Sequence, residues 1–211
     1  MSIEIENLGR IDYSSARLVQ ERRIENYRNN LATECFFICE HPAVVTKGKR
    51  SQGGDILSPA YFLEKNIPII ETDRGGEATY HGPGQLVIYP VIDLRSRNIG
   101  VKKIVSLGLE IISETVNSLG LPTVVSLEKA GVWLKEKDRK IASVGLRIIH
   151  GLTNHGFSLN VSSDLAVYDY FTPCGLRGEN ISSIQHEIGA SQLGLFELGY
   201  KISLAFSDKL E

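Results

Sequence analysis

Three segments carry the residues whose types and surroundings could do chemistry. In Tyr170-Phe171-Thr172-Pro173-Cys174-Gly175-Leu176-Arg177-Gly178, a cysteine stands between a proline and a glycine, which places it in a turn and not in a packed element. A thiolate presented on a turn is a nucleophile that can hold an acyl group as a thioester. A thiol ionises near neutrality only with help from a nearby cation or aligned backbone amides. The competing reading is a small residue filling a turn, and the local sequence leaves both open.

In Arg139-Lys140-Ile141-Ala142-Ser143-Val144-Gly145-Leu146-Arg147, a lysine opens a run of mostly apolar residues. A lysine at a strand end is ordinarily solvated. Drawn into an apolar site, a lysine has a lowered pKa and can exchange protons with a thiol. The third segment is Arg74-Gly75-Gly76-Glu77-Ala78-Thr79-Tyr80-His81-Gly82-Pro83-Gly84-Gln85. Its glycines allow sharp turns and close approach to a ligand, and consecutive amides can point at an anion or a carbonyl. No Gly-Lys-Ser/Thr follows, which excludes a phosphate-binding P-loop. The loop leads into a strand instead of a helix, which excludes a dinucleotide fingerprint. A glycine-rich hairpin turn is the plain alternative; Arg74, Thr79 and His81 inside it favour a ligand site.

These segments need elements to hold them. Apolar periodicity predicts helices from Asp12 to about Asn30, over 101–119 and over 191–210. Ile104, Leu107, Ile111, Val116 and Leu119 form the stripe of the second, with Gly120 at its C-terminal end and Pro122 beyond. Short strands are expected at 2–8, 35–39, 43–46, 67–71, 86–94, 123–126, 130–135, 140–149 and 155–161, with 130–149 as a hairpin. Residues 73–85 read as one long turn. Strands gather mid-chain and helices near both ends, so the expected class is α/β in the α+β sense, a mixed sheet flanked by helices.

Composition narrows the function classes. The chain has 211 residues, 42% hydrophobic and 23% charged, as in an ordinary globular protein, and is expected to form one catalytic domain over 1–211. A net charge of -2 gives no global pull toward nucleic acid or a membrane surface. No stretch resembles a signal peptide or a membrane span, and three cysteines without a secretory context point to reduced thiols in the cytoplasm. Cys35 and Cys39 with His41 make a poor metal site inside an apolar strand, so buried structural thiols and no metal are expected. Lys102, Lys103, Arg95 and Arg97 form either a basic landing patch or a solvated face.

Taken together, RGGEATYHGPGQLVIYP (74–90), KIASVGLRI (140–148), NHGFSLNV (154–161) and PCGL (173–176) resemble the lipoate-protein octanoyltransferase family; EHPAVVTKGKR (40–50) is a weaker match, with Lys47 atypical. The resemblance implies the fold of lipoyl and biotin protein ligases and a cysteine/lysine pair, Cys174 and Lys140. It places the acyl substrate along Arg74, Gly75, Gly76, Glu77, Ala78, Thr79, Tyr80 and His81, along Ser143, Val144 and Gly145, and along Gly156, Phe157 and Ser158. It implies no cofactor. The implied donor is octanoyl-acyl carrier protein, and the implied acceptors are lipoyl domains of 2-oxoacid dehydrogenases and the glycine cleavage H protein. Oxyanion donors are expected at the Val144 and Gly145 amides, then in the His81 loop, and Ala142, Val144 and Phe157 are expected along the acyl tunnel. Rival readings are an amidotransferase moving octanoyl between lipoyl domains, an ATP-dependent lipoate-protein ligase, and a non-catalytic carrier-binding module.

Overall fold

The computed structural model describes residues 3–172, 180–189 and 194–211. Along the chain run β1 (Glu4–Arg10), α1 (Tyr13–Arg28), β2 (Cys35–Glu40), β3 (Val44–Lys47), the short α2 (Pro59–Glu64), β4 (Ile69–Glu71), β5 (Ala78–His81) and β6 (Gln85–Val91). Then follow α3 (Val101–Asn117), β7 (Thr123–Ser126), β8 (Gly131–Leu134), β9 (Lys140–Ile149), β10 (Leu152–Asn160), a 3-10 turn (Ala166–Tyr170), α4 (Ile184–Ile188) and α5 (Leu195–Leu210).

Local signals set the helix ends. The Asp12 carboxylate accepts the Ser15 amide at 2.9 Å and caps α1. On α3 the buried residues include Ile104, Leu107, Gly108, Ile111, Ile112 and Val116, the stripe its periodicity predicts. Gly120 takes φ 86°, two residues past the α3 cap at Ser118, so it turns the chain toward β7 without capping the helix itself.

The main sheet has the order β1-β2-β6-β10-β9-β8-β7. Its β1/β2 pair is parallel and the others are antiparallel, so it is mixed as expected. One face packs Ile38, Leu86, Phe157 and Leu159 under α3 and α5. The other packs Cys35, Phe37, Val87, Tyr89 and Leu152 against Ala16 and Ile24 of α1. A second sheet, β4-β3-β5, builds its own apolar cluster with Val45, Ala78, Tyr80, Tyr168 and Phe171.

The expected long turn at 73–85 contains β5, whose four residues pair antiparallel with β3 from Val44↔His81 to Lys47↔Ala78. Flanking glycines hide so short a strand in the sequence. The short helices α2 and α4 carry too few turns to show a period and are likewise unforeseen. The closing helix begins at Leu195, and residues 190–193 before it lie outside the described ones. Among the described residues no helix is long and apolar enough to cross a membrane.

Candidate active site

Lys140 is 3% exposed although it opens a strand. Its stem lies over Gly131 of the neighbouring strand; a Cβ there would meet the Lys140 Cε at 2.9 Å, so glycine leaves the lane the lysine occupies. The Lys140 ammonium sits 5.0 Å from the centre of the Trp133 ring. Beyond β8, the returning chain covers it: Ile181 bridges to Lys140, and the Ser182 amide donates to the Lys140 carbonyl at 2.9 Å.

Glu187 of α4 anchors this return. It accepts from the Ser182 hydroxyl at 2.6 Å, from Lys137 at 2.5 Å and from Arg139 at 3.2 Å. Burial pushes its carboxyl up, but the hydrogen bonds from Lys137, Ser182 and Arg139 outweigh that and bring it to about 2. A carboxyl lowered on folding adds stability above its unfolded pKa of about 4.5 and loses it as pH falls toward 2. Glu187→Gln is therefore expected to lower stability by on the order of 2 kcal/mol at pH 7, discounted for the exposed Lys137. Urea unfolding should show the gap narrowing below pH 4.5; a gap independent of pH would show that the contribution is not ionic.

Three residues along β9 from Lys140, a narrow cavity of about 30 Å³ opens between β9, β10, β5 and α1. Ser143, Val144 and Gly145, and Gly156, Phe157 and Ser158, all line it. From the glycine-rich segment Arg74, Gly76, Thr79 and His81 line it, whereas Gly75, Glu77, Ala78 and Tyr80 do not. Strand alternation separates them in β5: Thr79 and His81 face the cavity, Ala78 and Tyr80 the small second core. Ala142, expected along the tunnel, is part of the main core. The Phe157 ring borders the cavity from the core side, where it fills the space a side chain at Gly108 would need.

The loop is held in place by Arg74, which is 5% exposed. Its guanidinium donates to the Thr46 carbonyl at 2.6 Å, to the Thr46 hydroxyl at 2.9 Å, to the Glu77 carbonyl at 2.7 Å and to the Gly75 carbonyl at 3.0 Å. Those donors fix backbone, so Arg74 shapes the loop. The loop then docks on β9: the Gly75 amide donates to the Leu146 carbonyl at 3.1 Å. In an antiparallel ladder, alternate residues turn both backbone groups to the same side. Leu146 therefore puts Val144 on the loop side and Gly145, paired with Gly156, on the β10 side. Of the two expected oxyanion amides, Val144's faces the loop and Gly145's belongs to the ladder.

The cavity wall presents mostly apolar surface, and its histidines are held neutral. Burial, then His41, pushes His81 down to about 3, and its Nδ1 lies 2.6 Å from the Gln85 amide oxygen. Burial likewise lowers His41, whose Nε2 lies 2.7 Å from the Tyr89 hydroxyl. The Tyr13 ring stacks on His81 with centroids 5.8 Å apart. Tyr13, Val87, Tyr89 and His155 are lining residues that the sequence reading does not place along the substrate. Only His155, next to Gly156, carries a signal in the sequence. Trp133 was equally silent; the β8/β9 hairpin register, Trp133↔Lys140, is what brings it to the lysine.

Cys174 and the rest of Pro173-Cys174-Gly175-Leu176 lie outside the described residues. On either side of that stretch, the Thr172 amide donates to the Asp55 carbonyl at 2.7 Å, and Asn180 Nδ2 donates to the Asp138 carbonyl at 2.9 Å. Cys35 and Cys39 are buried and reduced, and among the described residues no group of His, Cys, Asp or Glu could hold a metal ion. Arg97 belongs neither to a basic landing patch nor to a solvated face: it forks onto Glu34 and donates to the Leu210 carbonyl at 2.6 Å.

A mixed sheet with a narrow cavity along β9 and β10, and a buried lysine at the start of β9, defines a class, and comparison with known proteins narrows it. The model of the lipoyl protein ligase A/B catalytic domain matches residues 12–198. The octanoyltransferase of Koribacter versatilis (strain Ellin345) is 37% identical over 193 residues, 90% of this chain and 77% of that protein. That of Alkaliphilus metalliredigens (strain QYMF) is 36% identical over 191 residues, 90% of this chain and 87% of the other. A crystal structure of lipoate-protein ligase A bound with ATP superposes with a TM-score of 0.75 at 16% identity, covering 100% of this chain and 86% of that one. Biotin protein ligase from Aquifex aeolicus gives 0.58 at 12% identity, covering 100% and 69%. At such identities the two structures speak for the fold, which is the expected one. The chain belongs to the lipoyl protein ligase A/B catalytic-domain family and, within it, to the octanoyltransferases. It is an acyltransferase.

Proposed function

We propose that this protein, as one catalytic domain over 1–211, moves an octanoyl group from octanoyl-acyl carrier protein to the lysine of lipoyl domains, through a thioester on Cys174. Lipoyl domains of 2-oxoacid dehydrogenases and the glycine cleavage H protein are the acceptors in this reading, and the cytoplasm is its place. The observation that carries it is the buried Lys140 standing three residues before a narrow cavity walled by Val144, Gly145, Gly156 and Phe157. An acyl chain needs an apolar slot, and its thioester carbon needs a base beside the nucleophile. The chain that bears Cys174 leaves the described structure at Thr172 and re-enters beside Lys140, at Asn180 to Ser182.

In this mechanism Lys140 takes the Cys174 proton or stabilises the thiolate. The thiolate attacks the octanoyl carbonyl, the carrier's thiol leaves with a proton, and a C–S bond has replaced a C–S bond, so no ATP is needed. The ε-amine of the acceptor lysine then attacks the same carbon. An amide forms, Cys174 leaves as thiolate, and Lys140 receives the amine's proton. The Val144 amide, turned toward the loop, is placed to meet the oxyanion. His81, held neutral, adds no positive charge to the slot.

Intact-protein mass spectrometry after mixing with octanoyl-acyl carrier protein, without ATP, tests the proposal. One octanoyl adduct that a lipoyl domain discharges is the expected result. No adduct, together with modification of the lipoyl domain only when ATP and free acid are supplied, would replace this reading with a ligase.

A further inference from the structure

His155 breaks the rule of its strand. Phe157 and Leu159 of β10 point into the core under α3 and α5, and a regular strand would send His155 the same way. Its backbone instead takes φ 59°, a left-handed conformation that a non-glycine residue adopts at a cost. The ring emerges on the opposite face, beside α1, at 2% exposure, and lines the cavity. Each polar atom there has a partner. The His155 amide donates to Gln20 Oε1 at 2.8 Å, Nε2 lies 2.7 Å from Asp73 Oδ1, and Nδ1 lies 3.2 Å from the Tyr13 hydroxyl. Asp73 also pairs with Arg147. These partners assign the tautomer: Nε2–H donates to Asp73, which as a carboxylate only accepts, and Nδ1 accepts from Tyr13. With its polar edges so occupied, the ring offers the cavity its carbon face.

Its place along the cavity matters more than its chemistry. In the β9/β10 ladder Ser143 pairs with Ser158, Gly145 with Gly156, and Leu146 with His155. The wall that starts near Lys140 thus reaches His155 three residues beyond Ser143, or roughly 10 Å along the strand. Seven zigzag C–C bonds of about 1.5 Å, those of an extended eight-carbon acyl chain, span roughly 9 Å. A carbonyl at the level of Ser143 puts the terminal methyl at the imidazole.

We propose that His155, turned out of its strand's alternation and fixed by Asp73 and Tyr13, ends the acyl pocket and determines the length of chain accepted. The proposal rests on the octanoyl-transfer reading and adds to it a residue that the family resemblance does not place along the substrate.

The test is acyl-enzyme formation with carrier-bound chains of six to fourteen carbons, comparing the wild type with His155→Gly and His155→Asn. Glycine is at ease at this φ, and so, among side-chain residues, is asparagine, so neither variant needs the backbone to move. Asparagine also retains a donor for Asp73. The decanoyl-to-octanoyl ratio of kcat/KM should rise about ten-fold in His155→Gly, as two more methylenes find room, and less in His155→Asn. A loss shared equally by all chain lengths in both variants would overturn the proposal and leave His155 a purely structural residue. A wild type that takes up no chain of any length would instead overturn the transfer reading beneath it.

Discussion

Cys174→Ser is expected to leave the protein without an acyl adduct and to reduce octanoyl transfer by ~10³-fold or more, the scale on which a covalent nucleophile contributes. A serine hydroxyl has nearly the same size, so the substitution changes the chemistry and little else. It does not ionise near neutrality, and a lysine that suffices to ionise a thiol does not suffice for an alcohol. The other thiols in the described structure cannot stand in. Burial pushes Cys35 up to about 12, and Cys39 higher still, with the Glu40 carboxylate adding to the effect. Both pack in the core under α1. The measurement is intact mass followed by peptide mapping. Wild type, Cys35→Ala and Cys39→Ala should all take one octanoyl group at Cys174, and Cys174→Ser none. Transfer at full rate by Cys174→Ser, or an adduct mapped to another residue, would end the thioester mechanism.

Much of this arrangement was legible in the sequence, for reasons that can be named. The α3 stripe and the long β9 announce themselves because one-sided burial imposes a period on many residues. The glycine-rich segment and the Lys140 strand were visible as motifs, and the structure brings Arg74, Gly76, Thr79 and His81 to one cavity with Ser143 to Gly145 and Gly156 to Ser158. What escaped was set by pairing over long sequence distance. Tyr13 reaches the cavity from α1, where its spacing marks it only as a buried helix residue. Tyr89 lies in a strand buried on both faces, so alternation cannot tell which side is the site. Trp133 depends on a hairpin register with a bulge between it and Val132. His155 was visible as the neighbour of Gly156, but not the face it takes, because a single positive φ reverses the one that alternation assigns.

Removing the lysine is the other large effect to expect. Lys140→Met keeps the length and the apolar stem that lies over Gly131 and beneath Trp133, so the pocket in which the side chain sits should close around it unchanged. What disappears is the proton carrier. At pH 7 acylation by octanoyl-acyl carrier protein is expected to slow by ~10²–10⁴-fold, the usual weight of a positioned acid–base group. The pH dependence separates this from simple disruption. Without Lys140 the Cys174 thiol must ionise unaided, with a pKa near the ordinary ~8.5, so single-turnover acylation of the variant should climb tenfold per pH unit up to that value. The wild type, whose thiolate would form at lower pH, should stay flatter, and the gap between them should shrink from pH 7 to 9. Lys140→Arg is the stricter comparison: it keeps a positive charge but cannot give up its proton in this range. If it acylates nearly as fast as wild type, the lysine acts as a charge that stabilises the thiolate. If it fails as Lys140→Met does, the proton itself must pass through Lys140. A Lys140→Met protein with wild-type acylation at pH 7 would refute both roles and reduce the buried lysine to a packing residue on Trp133.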